Sequence, residues 1–192
     1  NLQPEKSLGG DVGFLFETND ERHSFDVTYF ARNVKNAISS KVINFTTYAS
    51  QAINLEGISK VKGVEVAYNG KITNTLTTYA NYTYTQAKNK TKHLIVTDVP
   101  KHKFFAYVDW RIVPSVALYI SQEAEHGRYY LDDAKTVKLS GFGNTNAKVI
   151  YNVTKQLSLE AGVSNIFDKN YYYQAGYPEE GRLFFSNMRY QF

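Results

Sequence analysis

A chain of 192 residues with net charge +4, a pI near 9.0 and a mean hydropathy of -0.42 has room for one ordinary domain. It lacks the apolar run of about 18 residues that a spanning helix needs, which excludes a transmembrane helix but not a membrane-crossing barrel, whose strands put only alternate residues into lipid. With no cysteine there is no disulfide scaffold or Cys-based metal site, and the lysines and arginines are spread too thinly along the chain to form a nucleic-acid surface.

Alternation at period two runs the length of the chain. LGGDVGFLF (8–16) puts Leu8, Val12, Phe14 and Phe16 on one face, and a turn at Thr18–Asn19–Asp20 follows. SFDVTYFAR (24–32) sets Phe25, Val27, Tyr29 and Ala31 against Asp26, Thr28 and Arg32. KGVEVAYNGK (62–71) sets Val64, Val66 and Tyr68 against Glu65, and its Asn69–Gly70 pair predicts a hairpin turn. LTTYANYTYT (76–85) leads to KFFAYVDWRI (103–112), where Phe104, Ala106, Val108, Trp110 and Ile112 oppose Tyr107, Asp109 and Arg111. Val113–Pro114 turns into VALYIS (116–121). TNAKVIYNV (145–153) turns through 154–156 into LSLEAGV (157–163). The chain ends on GRLFFSNMRYQF (181–192), with Phe184, Ser186, Met188, Tyr190 and Phe192 on one face. No segment has a helical period.

The pattern predicts an all-β chain of about nine strands, each long enough to cross a bilayer as part of an antiparallel barrel. Short turns near 18–22, 69–74, 113–115 and 154–156 alternate with long loops near 39–57, 88–100, 125–137 and 167–181. Short turns towards the periplasm and long loops towards the exterior are the outer-membrane arrangement. A soluble β-sandwich would use shorter strands without that asymmetry. The 16 tyrosines and 12 phenylalanines suit the aromatic girdles at both interfaces. Asp26, Arg32, Glu65, Asp109, Arg111, Glu123, Lys148, Glu160 and Arg189 fall on the lumen side, where solvation of a wide interior explains them without a specific task.

Three stretches resemble the TonB-dependent outer-membrane receptors. VSNIFDKNYYYQAGY (163–177) followed by GRLFFSNMRYQF is similar to that family's carboxy-terminal signature, including Gly181–Arg182 and the final Phe192. SKVKGVEVAYNG (59–70) is similar to its Gly-Val-Glu strand, and LQPEKSLGGDVGF (2–14) to its entry into a barrel strand. The resemblance implies a transmembrane antiparallel β-barrel segment, the last part of a barrel of about 22 strands closed around a plug. On this reading residues 1–192 are the carboxy-terminal portion of the barrel, and the plug and the segment that contacts TonB are absent from this chain. The opening NLQPEKS has neither the basic region nor the apolar core of a signal peptide, and counting strands back from Phe192 puts residue 1 in an extracellular position, where a break in an exposed loop is expected.

The expected function is uptake of a scarce chelated nutrient, a ferric siderophore or similar iron chelate first, energised through TonB. Expected partners are the remaining strands and plug, the TonB complex, the metal chelate and outer-membrane lipid, with phage or bacteriocin as further users and no nucleic acid. Neither a cofactor nor a resident metal is expected. The candidate mouth site joins EHGRYYLDD (125–133) to YYYQAGY (171–177): His126 and Arg128 with Tyr129, Tyr130, Tyr173 and Tyr177. Tyrosine offers stacking area and a hydroxyl donor, and arginine pairs bidentately with carboxylate or catecholate oxygens. The bland reading of those tyrosines is the upper girdle. Met188, Tyr190 and Phe192 are the candidates for barrel assembly and closure. A passive pore or autotransporter-type translocator is the alternative, sharing the girdles and the last Phe. An outer-membrane protease is weaker: His126 with Asp132 and Asp133 lacks a second acid–His set, and His23, His93 and His102 are scattered. No catalytic residue is assigned.

Overall fold

Nine long strands realise the alternating segments in chain order: β1 (Lys6–Glu17), β2 (His23–Lys35), β3 (Ile58–Lys71), β4 (Leu76–Asn89), β5 (His102–Val113), β6 (Val116–His126), β7 (Phe142–Asn152), β8 (Leu157–Ser164) and β9 (Leu183–Tyr190). The structure is a computed structural model describing residues 2–44, 46–90, 94–132 and 135–192; His93 and Asp133 lie outside the described residues. Each strand pairs antiparallel with its sequence neighbour, making one continuous sheet, and no helix occurs among the described residues.

The short connections are 18–22, 72–75, 114–115 and 153–156, all at one end; the long ones, 36–57, 90–101, 127–141 and 165–182, are all at the other. Three long connections carry hairpins of their own: Ile38–Asn44 with Ala49–Asn54, Tyr129–Asp132 with Lys135–Lys138, and Tyr172–Gln174 with Tyr177–Pro178. The first short turn is held by Asp20, whose carboxylate accepts from the Thr18 hydroxyl and the Arg22 N–H; those bonds keep it below the usual carboxylate range.

One turn differs from the expectation. Asn69 and Gly70 stay in the ladder, paired with Ser24 and His23 on one side and with Tyr79 and Thr78 on the other, and the chain reverses only at 72–75. Gly70 makes room for a ring instead. The Tyr68 ring folds over it to reach His23 Nδ1 at 2.8 Å, and a Cβ at position 70 would collide with that ring.

Register aligns the apolar positions into rows. Phe14, Val27, Val66, Tyr82, Phe104 and Ala124 are successive partners across six strands, and Val108, Ile120, Ala147, Val163 and Phe184 across five. This face is largely uncovered, with Phe14 79% and Phe184 73% exposed. A sheet that leaves so continuous an apolar surface uncovered presents it to lipid.

The opposite face carries both signs of charge and a run of rings: Tyr79–Tyr107 at 5.7 Å, Tyr107–Tyr119 at 5.3 Å, Lys148 Nζ 5.7 Å from the Tyr119 centroid, and Lys148 to Glu160 at 3.0 Å. All nine charged residues expected at the lumen lie on it. The free edges of β1 and β9 have no partner among the described residues.

Candidate functional site

At the long-loop end of the polar face, alternation brings Lys103 of β5, Glu123 and Glu125 of β6, and Phe142 and Asn144 of β7 side by side. Lys103 Nζ stands 3.6 Å from Glu123 and 3.4 Å from Glu125. The Glu125 side chain is 3% exposed. A carboxylate so buried needs charged partners, and Arg128 is the second: Nε reaches Glu125 Oε2 at 3.2 Å, Nη2 reaches the same oxygen, and Nη1 donates to the Asp98 carbonyl at 2.7 Å.

Loop 165–182 covers this patch, and the residues of the carboxy-terminal signature fasten it. Asn165, 2% exposed and at φ 50°, donates to the carbonyls of Lys169 (2.9 Å) and Glu180 (3.1 Å) and accepts from the Lys169 N–H (2.8 Å), so one side chain ties both ends of the loop. Asp168 Oδ1 accepts from the Arg182 N–H at 2.7 Å, and Arg182 Nε donates to the Ile166 carbonyl at 2.9 Å. A Cβ on residue 181 would sit 2.8 Å from that Asp168 oxygen, and Gly181 leaves the carboxylate its place.

Fastened in this way, the loop lays Tyr171 and Tyr173 on Phe142, with centroids at 4.4 and 5.2 Å, and on each other at 5.6 Å. Asn144 Nδ2 donates to Tyr171 Oη at 3.0 Å, whereas its buried Oδ1 has no partner among the described residues. Burial, and then the hydrogen bond and charge of Glu123, push the Tyr173 phenol well above its ordinary range. Burial, then the Glu179 charge, raise Tyr171. Both therefore remain protonated donors at neutral pH. The result is an aromatic wall beside a balanced set of two carboxylates and two cations, a surface able to stack planar rings and exchange ion pairs with an anion.

The mouth residues expected from sequence separate into groups. Arg128 and Tyr173 join this cluster. Tyr129 and Tyr130 lie on the neighbouring hairpin, opposite Lys138 and Val137, and Tyr177 is 67% exposed at the tip of the loop hairpin. His126 stands on the apolar face, its ring 6.2 Å from that of His102 and its Nε2 3.1 Å from Lys138 Nζ. Met188, Tyr190 and Phe192 are on the apolar side of the last strand and its tail, Tyr190 edge-to-face with Phe192 at 5.3 Å. Sequence reasoning did not single out Glu125, Asn144 or Phe142, and Asn165 entered it only as part of the carboxy-terminal signature, without a role. For Glu125 a signal existed: in QEAEH it lies two residues from Glu123 and so shares its face.

A family model described as TonB dependent receptor-like, beta-barrel, matches residues 1–166. Among solved structures, the ferric-catecholate import receptor Fiu from E. coli K12 superposes with TM-score 0.78 at 20% identity over 100% of this chain. The copper transporter OprC gives 0.82 at 20% identity over 99%, and the siderophore receptor PirA from Acinetobacter baumannii 0.82 at 18% over 100%. This chain spans 28% of the first and 32% of each of the other two.

Proposed function

The chain belongs to the TonB-dependent receptor family, and from that premise we propose that it is the carboxy-terminal barrel wall of an outer-membrane receptor importing a scarce metal chelate. A ferric siderophore is the first candidate, with energy delivered through TonB to a plug encoded outside residues 1–192. The observation that carries the reading is the loop-fastened cluster at the exterior end of the lumen face, where Tyr171, Tyr173 and Phe142 stand beside Arg128 and Lys103. Aromatic rings and cations together suit an anionic, ring-bearing chelate. The mouth site comprises Arg128, Tyr129, Tyr130, Tyr173 and Tyr177, with Met188, Tyr190 and Phe192 serving assembly. His126, facing the other way, drops out of the ligand set. The same exposed loops offer a foothold to phage or bacteriocin.

The test is binding of a ferric tris-catecholate to the purified full-length receptor, followed by quenching of tyrosine fluorescence. Replacing Arg128 and Tyr130 together, at equal folded yield, should weaken binding about ten- to a hundredfold, the equivalent of one desolvated charged hydrogen bond. Unchanged affinity would move the site to loops 36–57 and 90–101 or to the rest of the barrel.

A further inference from the structure

The apolar face carries charge of one sign only. Among the charged residues of the nine strands, Asp11, Glu17, Asp26, Arg32, Glu65, Lys71, Lys103, Asp109, Arg111, Glu123, Glu125, Lys148, Glu160 and Arg189 all fall on the lumen face. Those left for the outward face are Lys6, Lys35, Lys60, Lys62 and Lys88, with no carboxylate. All five stand at the long-loop end of their strands, beyond the row of Val12, Tyr29, Val64 and Tyr84.

Two of the pairings set like charges directly opposite each other, Lys6 against Lys35 and Lys60 against Lys88. Such pairs destabilise a sheet, and no ion pair joins any of the five to a carboxylate among the described residues. An anion supplied from outside removes that repulsion.

The collar continues around the wall. His102 and His126 follow on β5 and β6, with Lys138 on His126 and Lys101 Nζ 5.7 Å from the Tyr84 centroid. A cavity of about 510 Å³ opens between these rings, floored by Phe104, Ala124 and Gly143 and reached by Lys169. Height identifies the occupant. His102 and Trp110 are the upper and lower ring positions of β5; at about 3.3 Å per residue and a tilt near 40°, they are about 20 Å apart along the membrane normal. Val64 and Tyr84 share the His102 row, and Lys62 lies two residues beyond it and Lys60 and Lys88 four, about 5 and 10 Å further along the normal by the same measure. These cations therefore stand just above the apolar band, at headgroup depth, with apolar wall below them for acyl chains.

We propose that this outward collar, centred on Lys60, Lys62 and Lys88, binds the phosphate-bearing headgroups of lipids in the exterior leaflet. The proposal rests on the membrane-barrel reading, and its test needs no transport. The full-length receptor in detergent is mixed with a phosphatidic acid, with the diacylglycerol that lacks its phosphate, or with inorganic phosphate, and retained lipid is counted by native mass spectrometry. The native protein should retain phosphatidic acid in preference to diacylglycerol. The triple variant K60Q/K62Q/K88Q should lose that retention about tenfold or more, while K71Q, on the lumen face, should not. Equal retention by the triple variant would overturn the collar. Complete displacement by inorganic phosphate would overturn the lipid assignment, the seat then being one for free phosphate. A purified receptor that inserts into bilayers yet shows no preference sinks the collar alone; one that never inserts sinks the barrel reading beneath it.

Discussion

Arg128 is held, not free. Its guanidinium is engaged by a carboxylate that is itself nearly inaccessible, so an anionic ligand gains its charge only by competing with Glu125. Removing that competitor should release the cation, since Lys103 alone does not need Glu125 to remain solvated at 50% exposure. Glu125→Gln is therefore expected to strengthen binding of a ferric tris-catecholate by about tenfold, and Arg128→Gln to weaken it by a similar factor. Titration of both variants, with thermal unfolding as the check on folding, separates the alternatives. If both lose affinity alike, the pair is a strut for the mouth and not its charge selector.

At the level of elements, the informative unit is loop 165–182 with its fastening side chain. Asn165 makes three hydrogen bonds spanning both ends of the loop, at a backbone angle that asparagine tolerates better than most residues. Alanine there leaves the Lys169 N–H and two carbonyls without their partner, costing about 1–3 kcal/mol. Because the wall strands keep their ladders, the loss should be local. Asn165→Ala is expected to speed amide exchange in 165–182 by about ten- to a hundredfold and to leave β6, β7 and β8 unchanged. Faster exchange throughout those strands would make Asn165 a determinant of the barrel and not a strap.

For the molecule as a whole, the limiting fact is that the outer edges of β1 and β9 have no partner strand among the described residues. Unpaired backbone groups in hydrocarbon cost several kcal/mol each, so this wall needs further strands to close it. The edge strand β9 ends at Tyr190, whose ring meets that of Phe192 in the tail at 5.3 Å. We expect deletion of Phe192 in the full-length receptor to reduce outer-membrane yield more than Val108→Ala, which trims an equally outward side chain in mid-wall. Quantified heat-modifiable receptor in outer-membrane fractions gives the comparison, and equal yields would remove Phe192 from assembly.

Period-two alternation alone was enough to place strands, faces and the short and long ends, because in a barrel every strand must show one side to lipid and the other to the lumen. Phe14 and Asp26 could be assigned their sides without any neighbour in view. Alternation carries no height, however, and no pairing. That Arg128 is spent on Glu125 and that Asn165 ties Lys169 to Glu180 depend on loop paths through space, and that His126 stands beside His102 depends on the pairing of β5 with β6. The lysine collar is the clearest case: its members are scattered from position 6 to position 88 and become one charged band only when the ladder sets Lys6 against Lys35 and Lys60 against Lys88. Side is a local property of a strand, fixed by its own sequence; register is a relation between strands, and only the assembled sheet decides it.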